Sequence, residues 1–255
     1  MSAIETLLKP GTLNVVFQPI LELDDLRRPW GAEALTRGPH GTHFESAPVL
    51  FDYVRFKHEE VRVDRRCIDT AIARAAQMQV PRLSVNVHSA TIERDTTFTA
   101  FLEASCRAHL FDPRKLIVEL VEQSAYWSRT RLIGALEGIR SIGASIALDD
   151  VGLGHSNFGM ILDVRADVLK VDRYFVDGCA IDPQRRAVLR AIAAVANEAG
   201  SAVIAEGIER EEDLATVREA GIHIGQGYLL GCPSTHLDFT EIDRKEEAAR
   251  SERGF

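Results

Sequence analysis

The chain has 255 residues, of which 45% are hydrophobic and 27% are charged, a balance typical of a globular protein and not of a disordered or fibrous one. Its formal net charge of −8 argues against broad binding to nucleic acid polymers or anionic membranes, because such binding requires concentrated positive charge. No signal sequence follows Met1, no apolar run reaches membrane-spanning length, and the four cysteines are scattered, so we expect a cytoplasmic protein without disulfides or a thiolate zinc site.

Short apolar segments predict β-strands, and longer segments with a helical period separate most of them. The strands are predicted at about Leu13–Gln18, Gly31–Arg37, Arg82–Val87, Lys115–Leu120, Ser145–Asp149, Val168–Asp172, Ala202–Glu206 and Ile222–Tyr228. The helices are predicted at about Ala47–Phe56, Val61–Met78, Thr97–His109, Thr130–Ile142, Pro183–Gly200 and Arg210–Ala220. Three predicted helices lead through a glycine into a β-branched run, at Gly143, Gly200 and Gly221, which is typical of αβ units around a parallel sheet.

Eight strands interleaved with helices predict an α/β fold of the TIM-type (β/α)8 barrel. The connection between the first two strands, about Asp24 to Pro29, is too short for a parallel crossover. We therefore expect a hairpin and a first strand that runs antiparallel to the rest. A single domain is predicted over residues 1–235, followed by a charged tail at 236–255.

Polar side chains follow nearly every predicted strand, at the end where barrels of this type carry their active sites. They are Gln18, Glu33, Arg37, Asn86, Glu119, Asp149, Asp150, Lys170, Asp172, Glu206, Glu209 and Gln226. Any one of these carboxylates alone is more simply explained as a helix cap or a solvated loop residue. Together, the carboxylates would repel one another unless cations lay between them, and oxygen ligands favour Mg²⁺ or Mn²⁺.

Adjacent side chains of a regular strand point to opposite faces, so Asp149 and Asp150 can share a site only where the strand breaks. We expect Gly152 and Gly154 to supply that break. Lys170 and Asp172 are two residues apart and would share a face by strand periodicity.

These motifs resemble those of the EAL domain family, in order, from about Leu13 to Pro233. The matching segments are Phe17-Gln18-Pro19, Glu33-Ala34-Leu35 extended to Arg37, Ser84-Val85-Asn86, Glu119-Leu120-Val121-Glu122, Asp149-Asp150-Val151-Gly152, Lys170-Val171-Asp172, Ala205-Glu206-Gly207-Ile208-Glu209 and Gln226-Gly227-Tyr228. The resemblance implies a barrel with a reversed first strand. It also implies hydrolysis of one phosphodiester bond of cyclic di-GMP to the linear dinucleotide pGpG, with two Mg²⁺ or Mn²⁺ ions.

Carried over by position, the resemblance assigns a role to each site residue. The ligands of the first metal would be Glu33, Asn86, Glu119 and Asp149, and those of the second Asp149, Asp150 and Glu206. Catalysis would involve Lys170, Glu206, Glu209 and Asp149, with Glu209 and Gln226 holding waters near the metals. Substrate contacts would come from Gln18, Arg37, Asp172 and Gln226, although a salt bridge or hairpin hydrogen bond explains Gln18 and Arg37 about as well.

The resemblance makes Glu122 the anchor of the loop after the fifth strand, and this loop takes part in dimer contacts in the family. The sequence departs from the family pattern here, at Val121, Val151, Leu153, His155 and Asn157. A homodimer is expected by resemblance alone. The departures from the family pattern affect the expected coupling between its two subunits and the expected turnover rate.

Two other functions remain open from the sequence. The chain could be a cyclic di-GMP receptor that binds without cleaving and signals through a regulatory protein partner. It could also be a glycosidase with Asp149 and Glu206 as paired carboxylates, but the low aromatic content of 7% and the many extra acids disfavour this reading.

Overall fold

The computed structural model describes residues 2–121, 129–153 and 158–237. The β-strands are β1 (Asn14–Glu22), β2 (Pro29–Arg37), β3 (Leu83–His88), β4 (Leu116–Val121), β5 (Ser145–Val151), β6 (Val168–Val171), β7 (Ala202–Ala205) and β8 (Ile224–Gly225). The α-helices are α1 (Ala3–Leu7), α2 (Ala47–Phe56), α3 (Glu60–Met78), α4 (Ser89–Arg94), α5 (Phe98–Ala108), α6 (Arg129–Ser141), α7 (Phe158–Val164), α8 (Arg173–Val176), α9 (Pro183–Ala199) and α10 (Glu211–Glu219). Single 3-10 turns lie at His43–Glu45 and Pro113–Lys115.

The eight strands close into one barrel in sequence order. Strand β1 is antiparallel to both of its neighbours, β2 and β8, and the other neighbouring pairs are parallel. The predicted hairpin is present, since the amide of Glu22 donates to the Arg28 carbonyl at 3.0 Å across a short turn. The sequence-based prediction of a TIM-type barrel with a reversed first strand is confirmed.

The interior of the barrel has two layers. Apolar side chains fill the lower part in a buried cluster of Ile20, Ile117, Ala147, Val168 and Ile204. On the parallel strands the next inward-facing position is two residues further on, because strand side chains alternate between faces. The residues two positions after Ile117, Ala147, Val168 and Ile204 are the predicted site residues Glu119, Asp149, Lys170 and Glu206.

The outward-facing side of the sheet packs against the helices in the main core, which includes Leu83, Leu120, Ile146 and Leu169. Strand residues buried on both faces explain why these segments read as almost continuous apolar runs. The predicted glycines Gly143, Gly200 and Gly221 all adopt positive φ. At Gly200 the cap is explicit, since this left-handed residue ends α9 with its amide directed at the Ala196 and Asn197 carbonyls.

Four short helices, α1, α4, α7 and α8, were not predicted from the sequence. Each is too short to show a helical period, and α8 instead begins at a side-chain cap, where Asp172 accepts from the Tyr174 amide at 2.7 Å. No helix in the described part of the chain is long and apolar enough to cross a membrane. The predicted tail at 236–255 lies outside the described residues beyond residue 237, so the predicted domain limits stay predictions.

Candidate metal centre and substrate cavity

Lys170 lies at the centre of the polar end of the barrel and is almost completely buried, at 1% exposure. Its ammonium nitrogen is 2.7 Å from a Glu206 oxygen, 3.3 Å from Glu33 and 3.6 Å from Asp149, and it also contacts Glu119. Strands β2, β4, β5 and β6, with the residue after β7, deliver these groups from positions as far apart as residues 33 and 206. The structure thus brings together the carboxylates predicted to share one barrel end.

Glu33 is held by two amide side chains. The Asn86 amide donates to one of its oxygens at 2.8 Å and the Gln226 amide donates to the other at 2.9 Å. Burial opposes ionisation of this carboxyl, but the Lys170 charge and the amide donors outweigh burial, so the pKa of Glu33 lies below its ordinary value. Glu33 is therefore an ionised carboxylate in a fixed orientation.

Two other acids of the cluster, Glu119 and Glu206, hold protons more tightly. Burial, together with repulsion from Glu33, Asp149 and Glu206, raises the pKa of Glu119 well above its ordinary value despite the attraction of Lys170. Burial likewise raises the pKa of Glu206 to about 8, with repulsion from Asp149 and Glu33 adding to it. The surrounding carboxylates overcome the effect of burial on Lys170 and raise its pKa, so this side chain is a cation. The single positive charge of Lys170 is smaller than the negative charge that the four surrounding carboxyl groups carry when all are ionised. Bound cations would therefore stabilise the ionised cluster.

The strand break at Asp149 and Asp150 is present, but its position differs from the prediction. The pairing of β5 with β6 shifts between Leu148 and Val151, and Asp150 itself adopts a left-handed backbone with φ of +51°. Gly152 also has positive φ, whereas Gly154 lies outside the described residues. Aspartate tolerates this conformation better than most residues, because its short side chain can hydrogen-bond locally.

This break lets both neighbouring carboxylates face Glu206. One oxygen from each of Asp149, Asp150 and Glu206 lies within 4.8 Å of the other two. Partial burial and repulsion from Asp149 and Asp172 raise the pKa of Asp150 to about 7. Carboxylate oxygens in such an arrangement suit a hard divalent cation such as Mg²⁺ or Mn²⁺. A buried Asp149 oxygen and the buried Gln226 Oε1 have no hydrogen-bond partner among the described residues, which supports the fit to an ion and its waters.

The other predicted site residues lie around this cluster. Both polar atoms of Gln18 are engaged, since Gln226 donates to its oxygen at 2.9 Å and its amide donates to the Gly231 carbonyl at 3.2 Å. Asp172 caps α8 and lies beside Asp150. Glu122, His155 and Asn157 lie outside the described residues, so the predicted loop anchor stays a prediction.

Glu209 is held by a residue that the sequence analysis did not single out. Arg173 contacts both of its carboxylate oxygens, at 2.7 Å and 3.2 Å. The Arg173 side chain crosses the backbone of Gly207, where any added Cβ would lie within 2.9 Å of Arg173 Cδ and closer still to its inner carbons. Arg173 thus links the start of α8, next to Asp172, to the loop that carries Glu206 and Glu209. In the sequence, the glycine at position 207, next to Glu206, is a signal of such a close approach.

Two cavities meet at Asp149. The acidic cavity, of about 300 Å³, is open to solvent between Glu33, Lys170, Glu206 and Arg173. The side cavity, of about 360 Å³, is mainly apolar and extends from Asn86 and Asp149 to Arg37 and the helices α2 and α3. Its walls include the apolar residues Leu35, Pro48, Phe51 and Val85 and the charged residues Asp52, Arg55 and Asp64.

Arg37 lies on the wall of the side cavity, and its guanidinium donates to the Thr36 carbonyl at 3.0 Å. Asp64 is buried, and its carboxylate accepts from the His88 amide at 2.9 Å and from the Thr91 hydroxyl at 2.6 Å. Burial raises the pKa of Asp64 to about 7 despite these donors. Because the two cavities share Asp149, an elongated ligand could place a charged group in the acidic cavity and a ring in the side cavity, with Arg37 and Asp64 near the polar edge of that ring.

The sequence pattern that defines the EAL domain matches residues 1–233. The chain belongs to the EAL domain family. The cyclic di-GMP phosphodiesterase PA2567 of Pseudomonas aeruginosa is 29% identical over 225 residues, which cover 86% of this chain and 38% of that protein. The oxygen sensor protein DosP of Escherichia coli is 26% identical over 240 residues, covering 91% of this chain and 30% of DosP. The chain thus spans about a third of the length of these two relatives.

Solved EAL structures have the same fold. The EAL enzyme Bd1971, bound to cAMP and cyclic di-GMP, superposes with a TM-score of 0.81 at 26% identity, covering 95% of this chain and 66% of that one. BlrP1 of Klebsiella pneumoniae, in a complex with manganese and cyclic di-GMP, superposes with a TM-score of 0.79 at 25% identity, covering 89% of this chain and 57% of that one. Membership in this family disfavours the glycosidase reading.

Proposed function

We propose that this chain hydrolyses one phosphodiester bond of cyclic di-GMP to give linear pGpG, with two Mg²⁺ or Mn²⁺ ions as cofactors. The observation that carries the proposal is the meeting of Asp149, Asp150 and Glu206 oxygens within 4.8 Å of one another at the open end of an EAL barrel. The relatives PA2567 and BlrP1 add support, since one is a cyclic di-GMP phosphodiesterase and the other was solved with manganese and cyclic di-GMP.

The residues that would hold the ions divide into two sets around Asp149. Glu33, Asn86 and Glu119 would hold the first ion with Asp149, whereas Asp150 and Glu206 would hold the second with it. When bound, a pair of such ions lowers the pKa of a water and stabilises the attacking and leaving oxygens of the phosphodiester.

Lys170 would add a fixed positive charge at the point where negative charge develops on the phosphate. The buried ammonium is held by carboxylates on several sides, so it needs little reorganisation during the reaction. The Gln226 Oε1 atom, which accepts no hydrogen bond from any described residue, and the Glu209 carboxylate, oriented by Arg173, would hold waters at the edge of the acidic cavity.

The substrate would extend from the acidic cavity into the side cavity. A phosphodiester near Asp149 would leave one guanine base beside Arg37 and the apolar wall formed by Leu35 and Phe51. Arg37 offers donors to a phosphate or a guanine edge, and Asp172 would contact substrate from the rim. Gln18 would contribute mainly by orienting Gln226, since both of its polar atoms are engaged within the protein.

Chromatography of the reaction products tests this proposal. Purified protein with cyclic di-GMP and Mn²⁺ is expected to yield pGpG, and excess chelator is expected to abolish the reaction. The Glu33→Ala variant, which lacks a carboxylate held by Asn86, Gln226 and Lys170, is expected to yield no product. Binding of intact cyclic di-GMP without cleavage at any Mn²⁺ or Mg²⁺ concentration would instead support the receptor function.

The expected homodimer and a regulatory protein partner stay predictions. Sedimentation of the chain with and without cyclic di-GMP tests the dimer, and a single monomeric species under both conditions would contradict it.

A further inference from the structure

Ser84 lies inside the barrel beneath the site, two residues before Asn86 on β3. Its hydroxyl donates to Glu119 Oε2 at 2.7 Å. Both residues are buried, with 2% of Ser84 and 0% of Glu119 exposed. A carboxylate this deep in the barrel has few polar partners, so each one has a large effect on its orientation.

The two oxygens of Glu119 have different surroundings. Oε2 accepts from Ser84, whereas Oε1 contacts the Lys170 ammonium at the centre of the site. The glutamate side chain has three rotatable bonds, and a partner on one oxygen fixes the direction of the other. Side chains that hydrogen-bond a metal ligand commonly fix its geometry, and their loss typically lowers metal affinity by 10-fold to 100-fold.

We propose that Ser84 is a positioning residue for Glu119, which holds one carboxylate oxygen so that the other remains directed at the metal centre. The inference rests on the proposed function only in taking Glu119 as a metal ligand. Ser84 touches neither the substrate cavity nor the other proposed ligands through any hydrogen bond found among the described residues.

The chain offers a matched control for this hydrogen bond. Ser105 on α5 is also buried, at 5% exposure, and its hydroxyl donates to the Asp69 carboxylate at the same distance of 2.7 Å. Asp69 is on α3, outside the barrel, and is not a proposed metal ligand. Ser84→Ala therefore removes a serine–carboxylate hydrogen bond at the proposed metal site, and Ser105→Ala removes the same kind of hydrogen bond outside it.

The test is isothermal titration of Mn²⁺ into the parent chain and both variants in the absence of nucleotide, with urea unfolding of each in chelator. We expect Ser84→Ala to weaken Mn²⁺ binding by about 10-fold to 100-fold, and Ser105→Ala to leave it within about twofold of the parent. A second pair, Glu119→Ala with and without Ser84→Ala, is expected to show no further loss from Ser84→Ala, because the side chain that Ser84 orients is gone.

A Ser84→Ala variant that folds and binds Mn²⁺ as tightly as the parent would overturn the proposal. So would an equal loss of affinity in Ser105→Ala, or an undiminished effect of Ser84→Ala in the Glu119→Ala background. The proposed function fails separately: a parent chain that binds Mn²⁺ but leaves cyclic di-GMP intact would contradict hydrolysis and leave the role of Ser84 standing. A parent that binds no Mn²⁺ would overturn both.

Discussion

The ammonium of Lys170 lies 2.7 Å from the Glu206 carboxylate, although 36 residues separate them along the chain. Strands β6 and β7 are neighbours in the barrel, and Lys170 is in register with Ile204, two residues before Glu206. This contact places a buried cation among the carboxylates that we propose as metal ligands.

Replacing Lys170 with methionine should destabilise the protein when divalent cations are absent. The variant keeps the carboxylates of Glu33, Glu119, Asp149 and Glu206 but removes the cation among them. Removing one partner of a buried ion pair typically costs about 3–5 kcal/mol, and we expect a loss of that size in urea unfolding with chelator. Lys115→Met, at an exposed position, is the control. A Lys170→Met protein as stable as the parent in chelator would contradict the charge balance described here.

The apparent affinity for Mn²⁺ should rise with pH. The Asp150 and Glu206 carboxyls have pKa values raised to about 7 and about 8, so at lower pH they hold protons that a cation must displace. Between about pH 6 and pH 8 we expect up to about a tenfold gain per pH unit for each proton released. Titration calorimetry in two buffers of different ionisation enthalpy counts these protons. Binding that is independent of pH and releases no protons would exclude a role for these carboxyls as ligands.

Gly207→Ala should lower both stability and catalytic rate. Gly207 has φ of +67°, and its missing Cβ leaves room for the Arg173 side chain that holds Glu209. Gly200→Ala is the matched control, because Gly200 has a similar φ of +73° with nothing within 4 Å of an added Cβ. The left-handed backbone alone should cost each variant about 1–2 kcal/mol.

Only Gly207→Ala should also displace Arg173 and lower kcat. Steady-state kinetics and urea unfolding of the two variants separate these effects. Equal losses of rate and of stability in the two variants would show that the contact between Arg173 and Gly207 has no part in catalysis.

Asp64→Asn should flatten the pH dependence of stability. The pKa of Asp64 is raised to about 7 in the folded protein, against about 4 in an unfolded chain. The folded state therefore binds more protons than the unfolded state in this window, and the contribution of Asp64 to stability falls as pH rises from about 4 to about 7, by at most about 4 kcal/mol. The free energies of unfolding of parent and variant, measured in chelator across that pH range, should be similar at low pH and differ increasingly at high pH. Parallel curves would contradict the shift.

The barrel and its polar end could be predicted because strand periodicity is local. Ile117 and Glu119, or Val168 and Lys170, are two residues apart, so an inward apolar residue predicts an inward polar residue above it. The reversal of β1 followed from a connection too short for a crossover. The carboxylates could be predicted to lie close together because the carboxyl ends of parallel strands meet at the same end of a barrel.

Contacts between distant segments could not be predicted in the same way. The ion pair of Arg173 with Glu209 depends on the packing of α8 against the loop after β7, which no local pattern specifies. The left-handed backbone at Asp150 is likewise set by the shift of β5 against β6. The side cavity depends on how α2 and α3 pack beside Arg37, and helix periodicity fixes which face is apolar but not the space that remains between helices.

Anomalous diffraction at the manganese absorption edge, from crystals grown with Mn²⁺ and cyclic di-GMP, tests the central claim most directly. We expect two peaks, one bounded by Glu33, Asn86, Glu119 and Asp149 and the other by Asp149, Asp150 and Glu206, with a phosphodiester of the nucleotide between them and a base in the side cavity. Ordered nucleotide at the barrel end with no anomalous peak among these side chains, at saturating Mn²⁺, would contradict a metal-dependent phosphodiesterase.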